Sequence, residues 1–342
     1  MVADSDRIRT RYRKLVFFTL FLTFDLILFG AFVRLTDSGL GCPDWPGCYS
    51  SLTPIGALSE IRQAAETMPF GPVTLAKAWI EMIHRYIGAF LGLMIIVLLY
   101  MAWRYRRQLG QSPWLATVLF AGVCLQGAFG AWTVTLRLMP AVVTAHLLGG
   151  MLLLALLTWL STRVKPHAPI PPAAARWWPL VALGSLLLLV QIALGGWVST
   201  NYAALACLEF PTCHGQLVPE MDFRGGFSVM RGLGELPSGE IISQHALTAI
   251  HWTHRKFAFV VAACLLVIGG ILQRYPGLQQ PARWLIIIVL LQFATGLATI
   301  FLQWPLLLAI VHNGGAAVLV ILMTTLLVRT VGADRPAPQV HS

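Results

Sequence analysis

Charged side chains are scarce in this chain, and acidic ones are the scarcest. Of 342 residues, 11% are charged, and 14 Asp or Glu stand against 24 Lys or Arg. Soluble domains carry about 25% charged residues, so the composition excludes an ordinary soluble protein. The net charge of +10 would suggest nucleic acid as a partner of a soluble protein. In a membrane protein the distribution of basic residues matters more, and we expect no nucleic-acid partner.

The apolar stretches also lack the alternation of polar and apolar residues that is typical of transmembrane barrels. They are continuous, which predicts helices, because only a helix satisfies its own backbone within one segment in lipid. Eight runs are about 20 residues or longer, enough to cross a ~30 Å hydrocarbon core. These runs are 15–35, 78–103, 113–136, 141–160, 177–200, 245–272, 282–303 and 305–328. The predicted fold class is an all-α integral membrane protein with eight transmembrane helices.

The basic residues predict how these helices cross the membrane. One set of short segments is much denser in Lys and Arg, and such segments face the cytoplasm. This set is Arg7, Arg9, Arg11, Arg13, Lys14, Arg104, Arg106, Arg107, Arg163, Lys165, Arg176, Arg274, Arg283, Arg329 and Arg335. Both termini are then cytoplasmic. The two long loops, 36–77 and 201–244, face outward, where disulfides can form.

The chain contains an internal repeat on either side of a Pro-rich linker. We divide it into a first half (1–165), a linker (166–176) and a second half (177–342). The matching features are Gly30-Ala31-Phe32-Val33 with Gly195-Gly196-Trp197-Val198, Cys42 and Cys48 with Cys207 and Cys213, Gln126 and Gly130 with Gln292 and Gly296, and His146 with His312. Four helices per half insert in the same sense, which predicts two four-helix bundles related by a pseudo-twofold axis along the membrane normal.

Four histidines occupy matched positions near the outer ends of helices: His84 and His146 in the first half, His254 and His312 in the second. A single histidine in such a helix is more often satisfied by a neighbour than used as a ligand. Four at matched depth favour two pairs of haem iron ligands, since ionisable groups in a span are functional candidates and neutral imidazole binds iron well. Zinc would need a third or fourth ligand in each half. No Cys-x-x-Cys-His motif is present, so any haem is held noncovalently.

Arginines and glycines accompany the histidines. Arg85 and Arg255 directly follow His84 and His254 and are candidate partners of haem propionates, with snorkelling to the headgroups as the alternative. Small residues leave room for a flat macrocycle or allow close helix packing. The glycines concerned are Gly130, Gly149, Gly150, Gly296, Gly314 and Gly315.

One position distinguishes the halves. Glu81 lies one turn before His84, and His251 takes the same position before His254. A buried carboxylate can stabilise developing positive charge or move protons, so the first site is predicted to be reactive and the second to hold a redox or structural cofactor. The alternative for Glu81 is an ion pair with Arg85 at i+4. Asp25, a further acid inside a span, receives no role.

Each outer loop is expected to close a local disulfide, Cys42–Cys48 and Cys207–Cys213, because a proline lies between the cysteines. Most loop disulfides are structural. The alternative is a redox-active first pair.

The chain resembles the haem A synthase family, and specifically its bacterial members with two loop cysteine pairs. The resemblance covers essentially the whole chain. Its motifs are the run from Arg34 to Leu40 into Cys42-Pro-Asp-Trp-Pro, Glu81-x-x-His84-Arg85, Leu125-Gln126-Gly127 and His254-Arg255. It implies that haem O is converted to haem A, for cytochrome oxidase, by oxidising a methyl to a formyl group through successive hydroxylation and loss of water.

By the same resemblance, His84 and His146 ligate the substrate haem O, with Glu81 serving the oxidation. His254 and His312 then ligate a haem b cofactor. The extra histidine leaves open whether His251 or His254 binds iron, and the adjacent arginine favours His254.

The resemblance implies a location in the bacterial plasma (inner) membrane. The expected partners are haem O, its upstream haem O synthase, an unknown electron donor or acceptor and membrane lipid, and a homo-oligomer is left open. A di-haem b cytochrome that passes electrons from quinol to an outer acceptor would explain the paired histidines but not Glu81. A transporter would explain the repeat but not four histidines at one depth.

Overall fold

A computed structural model describes residues 2–67, 71, 73–236 and 238–332. Within these ranges, eight helices are long and apolar enough to cross a membrane, which confirms the predicted fold class. They are α1 Val2–Leu35, α2 Leu75–Arg104, α3 Trp114–Thr135, α4 Pro140–Val164, α5 Trp178–Thr200, α6 Gln244–Leu272, α7 Gln279–Phe301 and α8 Leu306–Gly332. An even number of spans returns the chain to the side from which α1 starts.

The predicted and observed helix ends differ by more than four residues only at the start of α1. The sequence places that start at residue 15, after a run of basic residues, but the helix already runs through them. Charge does not break a helix, and this part of α1 has its own packing. Tyr12 and Val16 are buried against Leu98 and Leu157, and Arg9 donates to the backbone carbonyl of Gln108 (2.8 Å).

Each half forms a closed ring of four helices. In the first half α1 packs on α2, α2 on α3, α3 on α4, and α4 on α1; in the second half α5 to α8 repeat this pattern. The halves meet where α8 packs on α1 and α4, and where α4 packs on α5. Met151 and Leu154 of α4 belong to the same buried core as Leu265 and Met323 of the second half. The equal contact pattern agrees with the repeat, and the pseudo-twofold axis stays a prediction.

The segments outside the spans hold more structure than the sequence indicates. The loop between α1 and α2 contains the helix Leu58–Thr67, and the loop between α5 and α6 contains the 3-10 turn Ala203–Leu205 and the short helix Phe223–Gly226. The linker ends in a 3-10 helix, Pro172–Trp177. Arg329 of α8 donates to the backbone carbonyls of Ala168 (2.7 Å) and Gly277 (2.5 Å), which fixes the linker against the second half. Arg335, one of the basic residues used for orientation, lies outside the described residues.

A polar contact joins the two halves at the face that carries the disulfide loops. Arg34, at the end of α1, donates to the backbone carbonyl of Ser199 in α5 (2.6 Å). Its guanidinium lies 4.1 Å from the centre of the Tyr202 ring, and the Tyr202 hydroxyl donates to Asp37 (2.7 Å). Burial raises the pKa of Tyr202, so the hydroxyl remains a donor well into the alkaline range.

Candidate functional site

The four predicted histidines lie in two pairs. His84 and His254 come nine and ten residues after the first residue of their helices, and His146 and His312 come six after. At ~1.5 Å per residue these depths are ~9–15 Å along the axis. His84 and His146 are near enough to interact electrostatically, as are His254 and His312. All four rings are partly buried.

A glycine of a neighbouring helix lies against each ring. A Cβ added to Gly30 would come 3.0 Å from His84 Nε2, and one on Gly195 would come 3.0 Å from His254 Cε1. The other glycines of this kind are Gly130 beside His146 Cε1 (3.4 Å) and Gly296 beside His312 Cε1 (3.3 Å). Any side chain at these positions would occupy the space next to the ring nitrogens.

Only two of the six glycines that the sequence proposes lie beside a histidine, namely Gly130 and Gly296. Gly149 and Gly315 instead make room for the side chains of Gln126 and Gln292. Those amides donate to the backbone carbonyls of the histidines in the next helix: Gln126 to His146 (2.7 Å) and Gln292 to His312 (2.8 Å). They fix α3 to α4 and α7 to α8 at the level of the site.

Both oxygens of the Glu81 carboxylate have partners. Oε2 accepts from the backbone N–H of Cys42 (2.9 Å), and Oε1 accepts from Arg85 Nη2 (2.5 Å). The residue is only 4% exposed. The ion pair that the i+4 spacing suggests is therefore present, and it fixes the carboxylate one helical turn from His84.

His251 makes the equivalent contact in the second half. Its Nδ1 accepts from the backbone N–H of Cys207 (3.3 Å), and the residue is 4% exposed. His251 thus supports the second disulfide loop, whereas His254 is the residue paired with His312. This geometry favours His254 over His251 as the ligand in the second half.

Both arginines point their guanidinium groups into the disulfide loops. Arg85 Nη1 donates to the backbone carbonyls of Asp44 (2.8 Å) and Gly47 (2.5 Å). Arg255 Nη2 donates to the equivalent carbonyls of Glu209 (2.7 Å) and Thr212 (3.3 Å). Because the second half has no acid at the Glu81 position, Arg255 Nη1 is buried without a partner in the described ranges. Arg255 is thus the better placed of the two for a propionate, and propionate binding stays a prediction for both.

The structure confirms both disulfides, Cys42–Cys48 and Cys207–Cys213. The cysteines are 0–1% exposed, which favours a structural role for the bonds. The two loops have the same backbone hydrogen bond. The N–H of Cys48 donates to the carbonyl of Ser51, and the N–H of Cys213 donates to the carbonyl of Gln216 (both 2.8 Å).

The second disulfide loop is also held by a carboxylate of its own, that of Glu209. Hydrogen bonds from the Thr212 hydroxyl and the backbone N–H of Gly215 hold the pKa of the Glu209 carboxyl below its usual value. Glu209 therefore remains ionised and keeps this loop folded around the carbonyls that Arg255 contacts.

The donor set fits haem better than zinc. Each site offers two neighbouring imidazoles, and the described residues contain no cluster of three or more His, Cys, Asp or Glu. Two axial imidazoles are a common ligand set for haem iron, whereas zinc takes three or four protein ligands. The glycines beside the rings and the unpartnered Nη1 of Arg255 fit a flat macrocycle with acidic substituents.

An open apolar groove of about 680 Å³ lies beside the first site. It is lined by α1 and α2, with Ile310 of α8. Phe29 belongs to the groove and also stacks on His84, with 6.1 Å between ring centroids. Asp25, to which the sequence gives no role, lines this groove.

Two polar contacts to the second pair of histidines were not predicted from the sequence. Gln191 Nε2 lies 3.2 Å from His254 Nδ1, and Thr295 Oγ1 lies 2.9 Å from His312 Nδ1. The signal that would have found them is the repeat itself. The equivalent residues in the first half are apolar, Leu26 and Phe129, and a polar residue gained inside a span points to a function.

Comparison with known proteins gives one family. The COX15-CtaA family, described as Cytochrome oxidase assembly protein, matches residues 13–324. The chain is 37% identical to the Heme A synthase of Shewanella oneidensis over 312 residues, 90% of this chain and 93% of that protein. It is 30% identical to the Heme A synthase of Methylobacterium radiotolerans over 337 residues (92% and 88%) and 30% identical to that of Mesorhizobium japonicum over 336 residues (92% and 89%).

Proposed function

The chain belongs to the COX15-CtaA family of cytochrome oxidase assembly proteins, and we propose that it is a haem A synthase, a membrane oxidoreductase that converts haem O to haem A. The observation that carries the proposal is the duplicated histidine pair in a chain whose relatives bear this name. The reaction oxidises a porphyrin methyl to a formyl group, by successive hydroxylation and loss of water.

The two halves have different tasks in this proposal. The first half (1–165) binds haem O through His84 and His146, and the second half (177–342) binds haem b through His254 and His312. When bound there, haem b would supply one-electron redox chemistry. The close helix packing between the halves supports a fixed relation of the two sites.

Glu81 acts by its charge. Its two hydrogen bonds hold the carboxylate in one place, which is the condition for electrostatic stabilisation of positive charge that develops during oxidation. Each oxygen keeps a second lone pair, so proton transfer is also compatible with these contacts. We propose the electrostatic role because it requires a carboxylate held in one orientation, which the two hydrogen bonds provide. Replacement of the acid by His251 supports the assignment of the chemistry to the first half.

The groove beside His84 is suited to the substrate. Haem O differs from haem b by a long isoprenoid tail, and a groove lined by Phe29, Phe90 and Ile87 gives such a tail apolar surroundings next to the site. Because the groove is open, the tail can enter from the side of the bundle.

The cellular setting completes the proposal. The positive-inside distribution supports cytoplasmic termini and outward disulfide loops in a bacterial inner membrane. The partners are an upstream haem O synthase, an electron donor or acceptor, and membrane lipid. A homo-oligomer remains part of the expectation from sequence.

The test is the pigment content of the full chain purified after production with and without a haem O synthase. We expect haem A only when haem O is supplied, with haem b in both preparations. Two equivalents of haem b and no haem A under haem O supply would contradict the proposal. That result would favour the di-haem electron-transfer cytochrome. This alternative gives no reason for the ion-paired Glu81.

A further inference from the structure

The two halves differ in what supports the second nitrogen of each histidine ring. A histidine that binds iron through Nε2 carries its proton on Nδ1, and an acceptor for this proton fixes the ring and strengthens the ligand. Part of this support is common to both halves. The backbone carbonyl of Leu26 faces His84, and the equivalent carbonyl of Gln191 faces His254. The two halves differ in the side chains that lie next to the histidine Nδ1 atoms.

Thr295 provides an acceptor in the second half. Its Oγ1 lies 2.9 Å from His312 Nδ1 and 3.1 Å from the carbonyl of Gln292, to which it donates its own proton. The hydroxyl oxygen then accepts from Nδ1–H, so both groups are satisfied. The ring of His312 is thereby fixed with Nε2 free.

The first half has no such acceptor. The equivalent residue, three positions after Gln126, is Phe129, whose ring packs on Trp132 with 5.2 Å between centroids. His146 Nδ1 is buried and has no hydrogen-bond partner in the part of the chain that the structure describes. The backbone carbonyl of Gln126 faces this ring, as the carbonyls of Leu26 and Gln191 face theirs, but His146 Nδ1 makes no hydrogen bond to it.

A second difference between the halves lies beside the other histidine, His254. Its terminal amide lies 3.2 Å from His254 Nδ1, where the first half has Leu26. The amide oxygen of Gln191 is buried without a partner in the described ranges. The same Nε2 donates to the backbone carbonyl of His254 (3.2 Å), which fixes the histidine against α5 in a way that Leu26 cannot reproduce.

We propose that Gln191 and Thr295 are positioning residues that lock both iron ligands of the second half, while the first half leaves His146 unlocked so that its haem is exchangeable. The inference rests on the proposed function, in which the first half binds and releases a haem in every cycle and the second half retains one. Two independent apolar-to-polar differences support it: Thr295 offers an acceptor to His312 Nδ1, and Gln191 donates to the backbone of His254 beside its ring.

The test compares two substitutions of the same kind on α7. Thr295→Val removes the acceptor at nearly constant shape. Thr299→Val is the matched control, since the Thr299 hydroxyl is one turn away and donates to the Gly296 carbonyl (2.7 Å) without touching His312. The full chain is loaded with haemin, and transfer of haem to excess apomyoglobin is followed together with the midpoint potential of the haem that remains.

We expect two phases of haem transfer from the wild-type chain. Thr295→Val should accelerate the slow phase by about 10–100-fold, the usual effect of losing such a partner, and should raise the midpoint potential because the weaker ligand stabilises ferric iron less. Thr299→Val should change neither. The reciprocal variant Phe129→Thr should slow the fast phase.

Three results would overturn the inference: a single phase in the wild type, equal behaviour of Thr295→Val and Thr299→Val, or no haem binding. None of these readouts needs turnover. A wild type that forms haem A while the two threonine variants behave alike refutes this inference alone. Two distinguishable haems without any haem A formation refute the proposed function alone.

Discussion

Glu81→Gln separates the charge of this side chain from its shape. The amide keeps an oxygen that can accept from the Cys42 N–H, but it removes the negative charge facing Arg85. A hydrogen bond to a charged group contributes about 1.5–3 kcal/mol, and breaking a fully buried ion pair costs about 3–5 kcal/mol. Arg85 keeps its hydrogen bonds to the loop carbonyls, so we expect Glu81→Gln to lower the free energy of unfolding by about 1.5–3 kcal/mol. Glu81→Ala, which also orphans the Cys42 N–H, should fall in the upper range.

The rate of haem A formation should fall much further than the stability does. Removing one preorganised group that stabilises developing charge typically lowers a rate about 10²–10³-fold. The assay is a pigment extract in which haem O and haem A are separated, with haem b measured from the reduced spectrum and thermal stability measured in detergent. We expect Glu81→Gln to remain folded and to retain haem b while haem A formation drops by this factor.

The matched control is His251→Ala, compared with Glu81→Ala. Each removes the acceptor of the first N–H in a disulfide loop, from Cys207 and from Cys42 respectively. Only Glu81→Ala also removes a charge. His251→Ala should therefore loosen its loop and leave haem A formation near the wild-type rate. Wild-type conversion by Glu81→Gln, or an equal loss of conversion in both alanine variants, would refute the catalytic role of Glu81.

Three other outcomes follow from contacts elsewhere. His254→Ala should abolish the resident b-type spectrum and His251→Ala should preserve it; the reverse result would move the ligand to His251. His251→Glu should give the unpartnered Nη1 of Arg255 a carboxylate and raise the thermal midpoint, and a lowered midpoint would show that this nitrogen is satisfied in another way. Tyr202→Phe removes the hydrogen bond to Asp37 and should cost about 0.5–1.5 kcal/mol of stability without changing the haem spectrum, which a thermal scan beside an absorption spectrum checks.

The helices were predictable because lipid leaves the backbone few choices. A continuous apolar run must satisfy its own N–H and C=O groups, so run lengths give the helices almost directly. The start of α1 was missed because the prediction measured apolarity, and the first turns of α1 are held by Tyr12 packing and by the contact from Arg9 to Gln108.

The repeat predicted the histidine pairs because matched positions in a duplicated unit lie at matched places in space. It did not predict the directions of the arginines. Arg85 contacts carbonyls about 40 residues away, Asp44 and Gly47, and these are brought together by a loop whose shape depends on its disulfide. Such contacts depend on tertiary structure and leave no local signal. The supports of His254 and His312 did leave a signal, in the differences between the halves.

The contact between Arg85 and the first disulfide loop couples the first site to the redox state of two cysteines. The Asp44 and Gly47 carbonyls that accept from the guanidinium lie within the loop that the Cys42–Cys48 bond closes. Glu81 is held by the same loop through the N–H of Cys42. We therefore expect reduction of this one disulfide to displace Arg85 and Glu81 together.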